Sequence, residues 1–175
     1  MKEDLLLVKK VLDKHKTKFF LIYGTALGAY RDGDFLPGDY DVDLGTFDNT
    51  HFEEIRKDLE AEGFEIGVCY NVDTKEEIPA KMILSERNTR VDIYHFEKSE
   101  DEYVAWKHSF SKHPFLSMPL KFKKLENVKF LGKKFLIPAD TEEYLEFLYG
   151  DWKSREKKQG RLYAEIHGLP KELYV

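Results

Sequence analysis

A single cysteine, Cys69, stands in the whole chain. An internal disulfide and a cysteine-based zinc site are therefore excluded, and the flanking Val68 and Tyr70 make Cys69 an expected buried strand thiol rather than a nucleophile. Long apolar runs are missing as well. The N-terminal run Leu5 to Val8 is too short for a signal peptide, and no later stretch approaches the ~18 apolar residues of a membrane span. A chain with no membrane span and a cytoplasmic location is expected. Positive charge is not in excess either: 28 Lys and Arg against 33 Asp and Glu leave a formal charge of -5. That balance argues against a general nucleic-acid binder, which needs a strongly basic face. The six histidines show no ligand-set spacing, and no serine sits in the strand-to-helix elbow that Ser-His-Asp hydrolysis requires. Linkers, repeats and low-complexity tracts are also lacking. The 175 residues, 42% of them hydrophobic, suit one domain over residues 1–175 with a core of ordinary size.

What the chain does have is concentrated between Ile22 and Gly45, IYGTALGAYRDGDFLPGDYDVDLG. Phe19 to Tyr23 is an aromatic and β-branched run expected to be a buried strand, ending at Gly24-Thr25, where a helix can begin. Such a turn offers backbone N–H groups and the Thr25 hydroxyl to an anion. Further on, Asp41-Val42-Asp43-Leu44 alternates acidic and apolar residues. On a strand, residues i and i+2 share a face, so Asp41 and Asp43 point into one cleft while Val42 and Leu44 point into the core. Like charges this close are costly unless a cation holds them, and hard oxygen ligands suit magnesium or manganese.

A further acid, Asp92, sits between Val91 and Ile93 in the β-rich run Arg90 to Phe96. A buried aspartate is rare without a partner, so Asp92 is read as a third acid of the set, the alternative being an edge-strand acid that faces water. Asp39 is either an outer ligand, if the strand starts early, or a turn residue. Arg31 follows the Gly24 turn, placed to grip a phosphate with its guanidinium or to pair with the aspartates. His95 is read as sharing the face of Asp92 in a structural role. Asp151 and Trp152 are candidates to border an acceptor pocket, with Trp152 also suited to a core anchor. Two basic groups, Lys121 to Lys134 and Lys153 to Arg161, read as solvated surface or as a field that neutralises an anionic substrate.

A Gly-Thr turn, an acid-x-acid strand and a single acid on a later strand together resemble the nucleotidyltransferase superfold. Within it, Gly24-Thr25-Ala26-Leu27-Gly28-Ala29-Tyr30-Arg31, followed by Pro37, Asp39, Asp41 and Asp43, is similar to the G-T-x-L-G-A-x-R and aspartate-cluster hallmark of the LicD and fukutin phosphotransferases. Val91-Asp92-Ile93 and Leu148-Tyr149-Gly150-Asp151-Trp152 resemble later segments of that family. Gly38 and Tyr40 depart from it, standing where the family usually has Trp and Asp, and bear on substrate choice. The resemblance implies an α/β (α+β) fold with a mixed β-sheet and flanking helices. It also implies transfer of a phospho-alcohol, such as phosphocholine or ribitol phosphate, from a cytidine diphosphate donor to a sugar hydroxyl of a glycan or small-molecule acceptor. Asp41 and Asp43 would hold one or two metal ions on the donor's diphosphate, Asp92 would hold a second ion or accept the acceptor's proton, and Gly24 and Thr25 would orient the phosphates. Two alternatives are nucleotidyl transfer from a nucleoside triphosphate with release of pyrophosphate, and a silent nucleotide-binding module.

Around this segment, Leu5, Val8 and Leu12 predict a helix over 3–15, and a short helix is expected after Gly24. Asp32-Gly33-Asp34 and Pro37-Gly38 predict turns in a loop over the cleft. Thr50 and Glu53 read as the capping box of a helix carrying Phe52, Ile55 and Leu59. Phe64 to Tyr70 is expected as a strand and Asp73 to Glu77 as an exposed loop. Lys81 to Leu84 and Arg90 to Phe96 follow as a hairpin. The pattern weakens from Tyr103 to Ile137 apart from a hairpin at Leu131-Gly132. Asp140 or Thr141 then caps a helix that stops at Gly150, and one more helix is expected in the charged tail.

Overall fold

A computed structural model describes residues 1–47, 50–70, 77–85, 89–106 and 119–155. The loop expected over Asp73 to Glu77, apart from its last residue, and the helix expected in the tail lie outside them, as do the burial of Cys69 and the turn of the Lys81–Phe96 hairpin.

Helix α1 spans Lys2–Lys14 and buries Leu5, Val8 and Leu12, the stripe that sets its helical period. Each such side chain contributes roughly 1.5–3 kcal/mol on leaving water. Helix α3, Phe52–Ala61, buries Ile55 and Leu59 and lies beside α1. Lys10 reaches Glu62 at 3.0 Å, and Lys14 and His15 both reach Asp58 at 2.6 Å. The expected Thr50–Glu53 capping box does not form: the N-cap is His51, with no side-chain cap bond, so the third helical residue is Glu54 and the motif is one residue out of phase.

Five strands form the main sheet: β1 (Phe19–Leu21), β2 (Asp41–Thr46), β3 (Phe64–Tyr70), β4 (Glu77–Ser85) and β5 (Arg90–His95). Their order is β1-β2-β5-β4-β3, with β2 and β5 parallel and every other pair antiparallel. The sheet is thus mixed, with α1 and α3 packing beside it. Strand β1 ends two residues earlier than the apolar run suggests, because Tyr23 turns to φ 47° and starts the short helix α2, Tyr23–Leu27. A single π turn, Gly28–Asp32, continues from α2 and stops at Gly33, whose φ of 68° is adopted most easily by a residue without a Cβ.

The segment after β5 is richer in strands than its sequence pattern suggests. β6 (Glu97–Ser99), β7 (Glu102–Trp106) and β8 (Pro119–Phe122) form a three-stranded sheet, and β9 (Leu125–Phe130) pairs with β10 (Lys133–Pro138). The β9–β10 turn falls at Leu131-Gly132 as expected; both residues have positive φ, the two-residue hairpin that matches strand twist. Phe122 joins this second sheet to the first by ring contacts to Phe20 and Phe96, at 5.1 and 5.3 Å between centroids. Helix α4, Thr141–Tyr149, follows Asp140 and ends at Gly150 as expected, although no side chain caps its N-terminus. No helix among the described residues is long and apolar enough to cross a membrane.

Candidate active site

Strands β2 and β5 bring the acids together. Their parallel register sets Asp43 opposite Asp92 and Asp41 opposite Arg90. Val42, Leu44, Val91 and Ile93 alternate with these residues and are buried on the other face, so the apolar half of each strand fixes which way the carboxylates point. One carboxylate oxygen from each of Asp41, Asp43 and Asp92 lies within 4.8 Å of the others, and all three side chains are half-buried. Among the described residues no other group of potential ligands gathers in this way.

Arg90, which motif reasoning missed, completes the cluster. Its Nη2 donates to Asp41 Oδ2 at 2.5 Å and its Nε stands 3.1 Å from Asp92 Oδ2. The one available signal was parity: Arg90 precedes Asp92 by two residues and must share its face. Burial pushes the Asp92 carboxyl above its ordinary range; the Arg90 charge opposes the rise and that of Asp41 adds to it. Burial works against the Arg90 cation, yet attraction by Asp92 and Asp41 outweighs it and leaves its pKa raised.

Two tyrosines wall the site. Tyr94 follows Asp92 by two residues on β5, and burial, with the nearby charges of Asp43 and Asp92, pushes its hydroxyl far above the ordinary tyrosine range. Tyr149, at the end of α4, is raised by burial and then by Asp43. Both stay neutral hydrogen-bonding groups next to the carboxylates. His95 stands an odd number of residues after Asp92, and so on the opposite face; the expectation that it shares the acid's face is wrong on strand parity.

The Gly24 turn reaches the cluster differently from expectation. The Thr25 hydroxyl is buried and accepts the Asp43 N–H at 2.9 Å. It fixes the acid strand to α2 instead of opening toward a ligand. The Ile22 N–H donates to the Asp43 carbonyl at 3.2 Å, a second tie at the same residue. Asp39 takes the turn alternative: its N–H closes on the Leu36 carbonyl at 3.1 Å, with Pro37 and Gly38, φ 78°, as the central pair. Its carboxylate nonetheless folds back over Gly24, where a Cβ would stand 3.0 Å from Oδ2. Glycine at 24 is what lets this acid approach.

Arg31 does not join the carboxylate cluster. Its guanidinium meets Asp32 Oδ2 at 3.1 and 2.8 Å and donates to the carbonyls of Trp152 and Ser154 at 3.1 Å each. The residue locks the segment after α4 onto the π turn. Trp152 is buried against Tyr30 and acts as the core anchor, while Asp151 is exposed. Of the basic groups, Lys153 pairs with Glu142 and Arg155 with Asp32. Lys123, Lys124, Lys129, Lys133 and Lys134 are exposed on or beside the β9–β10 hairpin, and Lys157, Lys158 and Arg161 lie outside the described residues.

The donor set fits a hard divalent cation. Magnesium–oxygen distances of about 2.0–2.1 Å put ligand oxygens within about 4.2 Å of each other, close to the 4.8 Å within which the three oxygens lie here.

The chain spans 82–87% of its own length in matches to curated proteins. It is 28% identical to ribitol-5-phosphate transferase FKTN of Macaca fascicularis and 27% identical to that of Homo sapiens, covering 87% of this chain and 33% of each relative. A protein of Rickettsia prowazekii named as uncharacterized is 28% identical over 82% of this chain and 51% of its own. The chain therefore spans about a third of the length of the FKTN proteins it matches. Among solved structures, the lincosamide antibiotic adenylyltransferase LnuA with lincomycin bound superposes at a TM-score of 0.58 and 16% identity, over 86% of this chain and 87% of that one. ANT(2")-Ia in complex with adenylyl-2"-tobramycin superposes at 0.50 and 15% identity, over 96% and 91%. These likenesses establish the nucleotidyltransferase fold. Residues 16–140 match the family described as LicD/FKTN/FKRP, nucleotidyltransferase domain, and the chain belongs to that family.

Proposed function

We propose that this chain carries a magnesium- or manganese-dependent transferase centre that moves a phospho-alcohol of the phosphocholine or ribitol-phosphate type from a cytidine diphosphate donor to a sugar hydroxyl. The gathering of Asp41, Asp43 and Asp92 at one end of the parallel β2–β5 pair carries the reading. Membership of a family whose relatives are named ribitol-5-phosphate transferases supports it. Asp41 and Asp43 would hold the metal, with Asp92 either as a further ligand or as the base that takes the acceptor's proton. When bound, such an ion clamps a diphosphate and offsets the charge that builds on a transferring phosphoryl group.

The chain's own groups supply the rest. Thr25 and Ile22, bonded to the Asp43 backbone, hold that carboxylate in place. Asp92, whose pKa burial raises, is a stronger base than a solvated carboxylate and suited to accept the acceptor hydroxyl's proton. The Gly24 turn, roofed by Asp39, lines the donor side, and Tyr94 and Tyr149 stand beside the carboxylates as neutral groups. The acceptor is a glycan or a small molecule with a free hydroxyl.

Placement of the acceptor hydroxyl in line with the breaking bond decides which phosphorus is attacked. Phosphorus NMR of a reaction with a cytidine diphosphate alcohol and a sugar acceptor tests this. A phosphodiester on the acceptor and free cytidine monophosphate are expected. Pyrophosphate released from a nucleoside triphosphate, with the nucleotide left on the acceptor, would overturn the reading in favour of nucleotidyl transfer.

A further inference from the structure

Arg90 is the one cation in direct contact with the triad among the described residues, and no motif points to it. It stands opposite Asp41 in the β2–β5 register, and its guanidinium joins Asp41 to Asp92. Three carboxylates this close repel one another and lose hydration as they are buried, so a positive charge must compensate them. Here the guanidinium supplies such a charge to Asp41 and Asp92. The oxygens it occupies, Oδ2 of Asp41 and of Asp92, belong to the same side chains that offer ligands to a cation. A guanidinium and a divalent cation also repel, so the two compete for one place.

Arg90 also faces solvent. Its side chain is 49% exposed, against 14% for Asp92, so it lies on the open side of the cluster. An anion entering from solvent meets it before the acids. A planar fork of N–H donors matches phosphate oxygens two at a time, which a lysine ammonium cannot do.

We propose, on the basis of the metal-centred reading above, that Arg90 is an internal counter-ion to Asp41 and Asp92. It yields their oxygens to the divalent cation and then holds the diphosphate of the nucleotide donor. Arg90 is then a substrate-binding residue whose role changes sign with the ligand: it opposes metal binding and favours nucleotide binding.

Purified wild type, Arg90→Ala and Arg90→Lys are titrated with manganese alone, following free manganese by electron paramagnetic resonance. Each is then titrated calorimetrically with cytidine diphosphate at saturating manganese. Arg90→Ala is expected to bind manganese about tenfold more tightly and cytidine diphosphate about tenfold more weakly, with Arg90→Lys between them on both axes. Manganese affinity that is unchanged or reduced in Arg90→Ala overturns the inference, and so does unchanged nucleotide affinity. Equal manganese binding in all three proteins leaves the metal site standing and removes the role of Arg90. If none of the three binds manganese, the metal-centred reading fails and this inference with it. Manganese binding by Arg90→Ala alone supports the competition in its strongest form. Circular dichroism checks the fold, and Arg90→Gln replaces the alanine variant if that variant does not fold.

Discussion

The backbone N–H of Tyr23, held in the left-handed region at φ 47°, donates to the Tyr144 hydroxyl across 3.0 Å, joining the turn beside the acids to helix α4. A left-handed conformation in a residue with a bulky side chain costs about 1–2 kcal/mol and persists only where its surroundings over-determine it. Tyr144 is one such constraint and the edge-on ring of Tyr94, at 5.4 Å, is another. Tyr144→Phe keeps the ring and removes the acceptor that the Tyr23 N–H uses. A loss of about 1–3 kcal/mol in urea unfolding is expected. Turnover should fall further than the folded fraction does, because Ile22 and Thr25, on either side of Tyr23, are tied to Asp43. Wild-type stability in Tyr144→Phe would show that the bond does not hold the turn.

Acid should loosen the segment after α4. The Arg31 hydrogen bond holds the Asp32 carboxyl below the ordinary carboxylate value of 3.8, with Arg155 adding to the effect and burial opposing it. A folded-state pKa below the unfolded one means the pair stabilises fully above pH 3.8 and loses that contribution as pH falls through the folded value. Asp32→Asn should therefore cost about 1–2 kcal/mol at pH 7, and the gap to wild type should narrow as pH falls below 3.8. Urea midpoints measured from pH 2 to 7 check this. A constant gap across the range would mean that the carboxylate's charge plays no part.

Much of the site was legible because its signals are local. Asp41 and Asp43 announce themselves by strand parity, and Asp92 by being the one acid in an apolar run. The Leu131-Gly132 turn and the Pro37-Gly38 turn follow from their glycines, which take positive φ without strain. What could not be read is set by distant partners. Arg31 follows the phosphate-like turn in sequence, yet its acceptors on Trp152 and Ser154 are more than a hundred residues away. The Thr25 hydroxyl faces inward because β2 returns beside α2, a fact of topology. The positive φ of Tyr23 has no residue-type signal at all, since tyrosine is a poor choice for that conformation. Arg90 was readable by parity but not by motif, and its contact with Asp41 depends on the parallel β2–β5 pairing.

Gly28 sets the height of the loop over the cleft. A Cβ there would stand 2.6 Å from the Asp34 carbonyl oxygen and 3.2 Å from the Leu36 nitrogen, both backbone atoms that cannot rotate away. Gly28→Ala is expected to cost about 1–3 kcal/mol and to lift the stretch that ends at Asp39. Nucleotide affinity should fall as well. Thermal unfolding with and without cytidine diphosphate separates the two effects, because a ligand bound to the native state raises its apparent stability. A ligand-induced shift equal to that of wild type would confine Gly28 to packing.

Asp92→Asn is the sharpest test of how the acids divide their work. The amide keeps the shape of the side chain, and β5 is held in register by its apolar face, so the fold should survive. Three consequences follow from lost charge. Arg90 keeps Asp41 but loses its anionic partner at 3.1 Å, a metal loses one hard ligand, and an acceptor hydroxyl loses its base. Loss of the base alone accounts for about 100-fold or more in turnover. The two roles left open for Asp92 separate by pH and metal. If Asp92 is chiefly the base, the variant retains metal affinity, its rate falls at every metal concentration, and the acid limb of the wild-type pH profile disappears. If it is chiefly a ligand, raised manganese restores much of the rate and the pH limb remains. Turnover near the wild-type rate in Asp92→Asn would make Asp92 a structural acid and reduce the working cluster to Asp41 and Asp43.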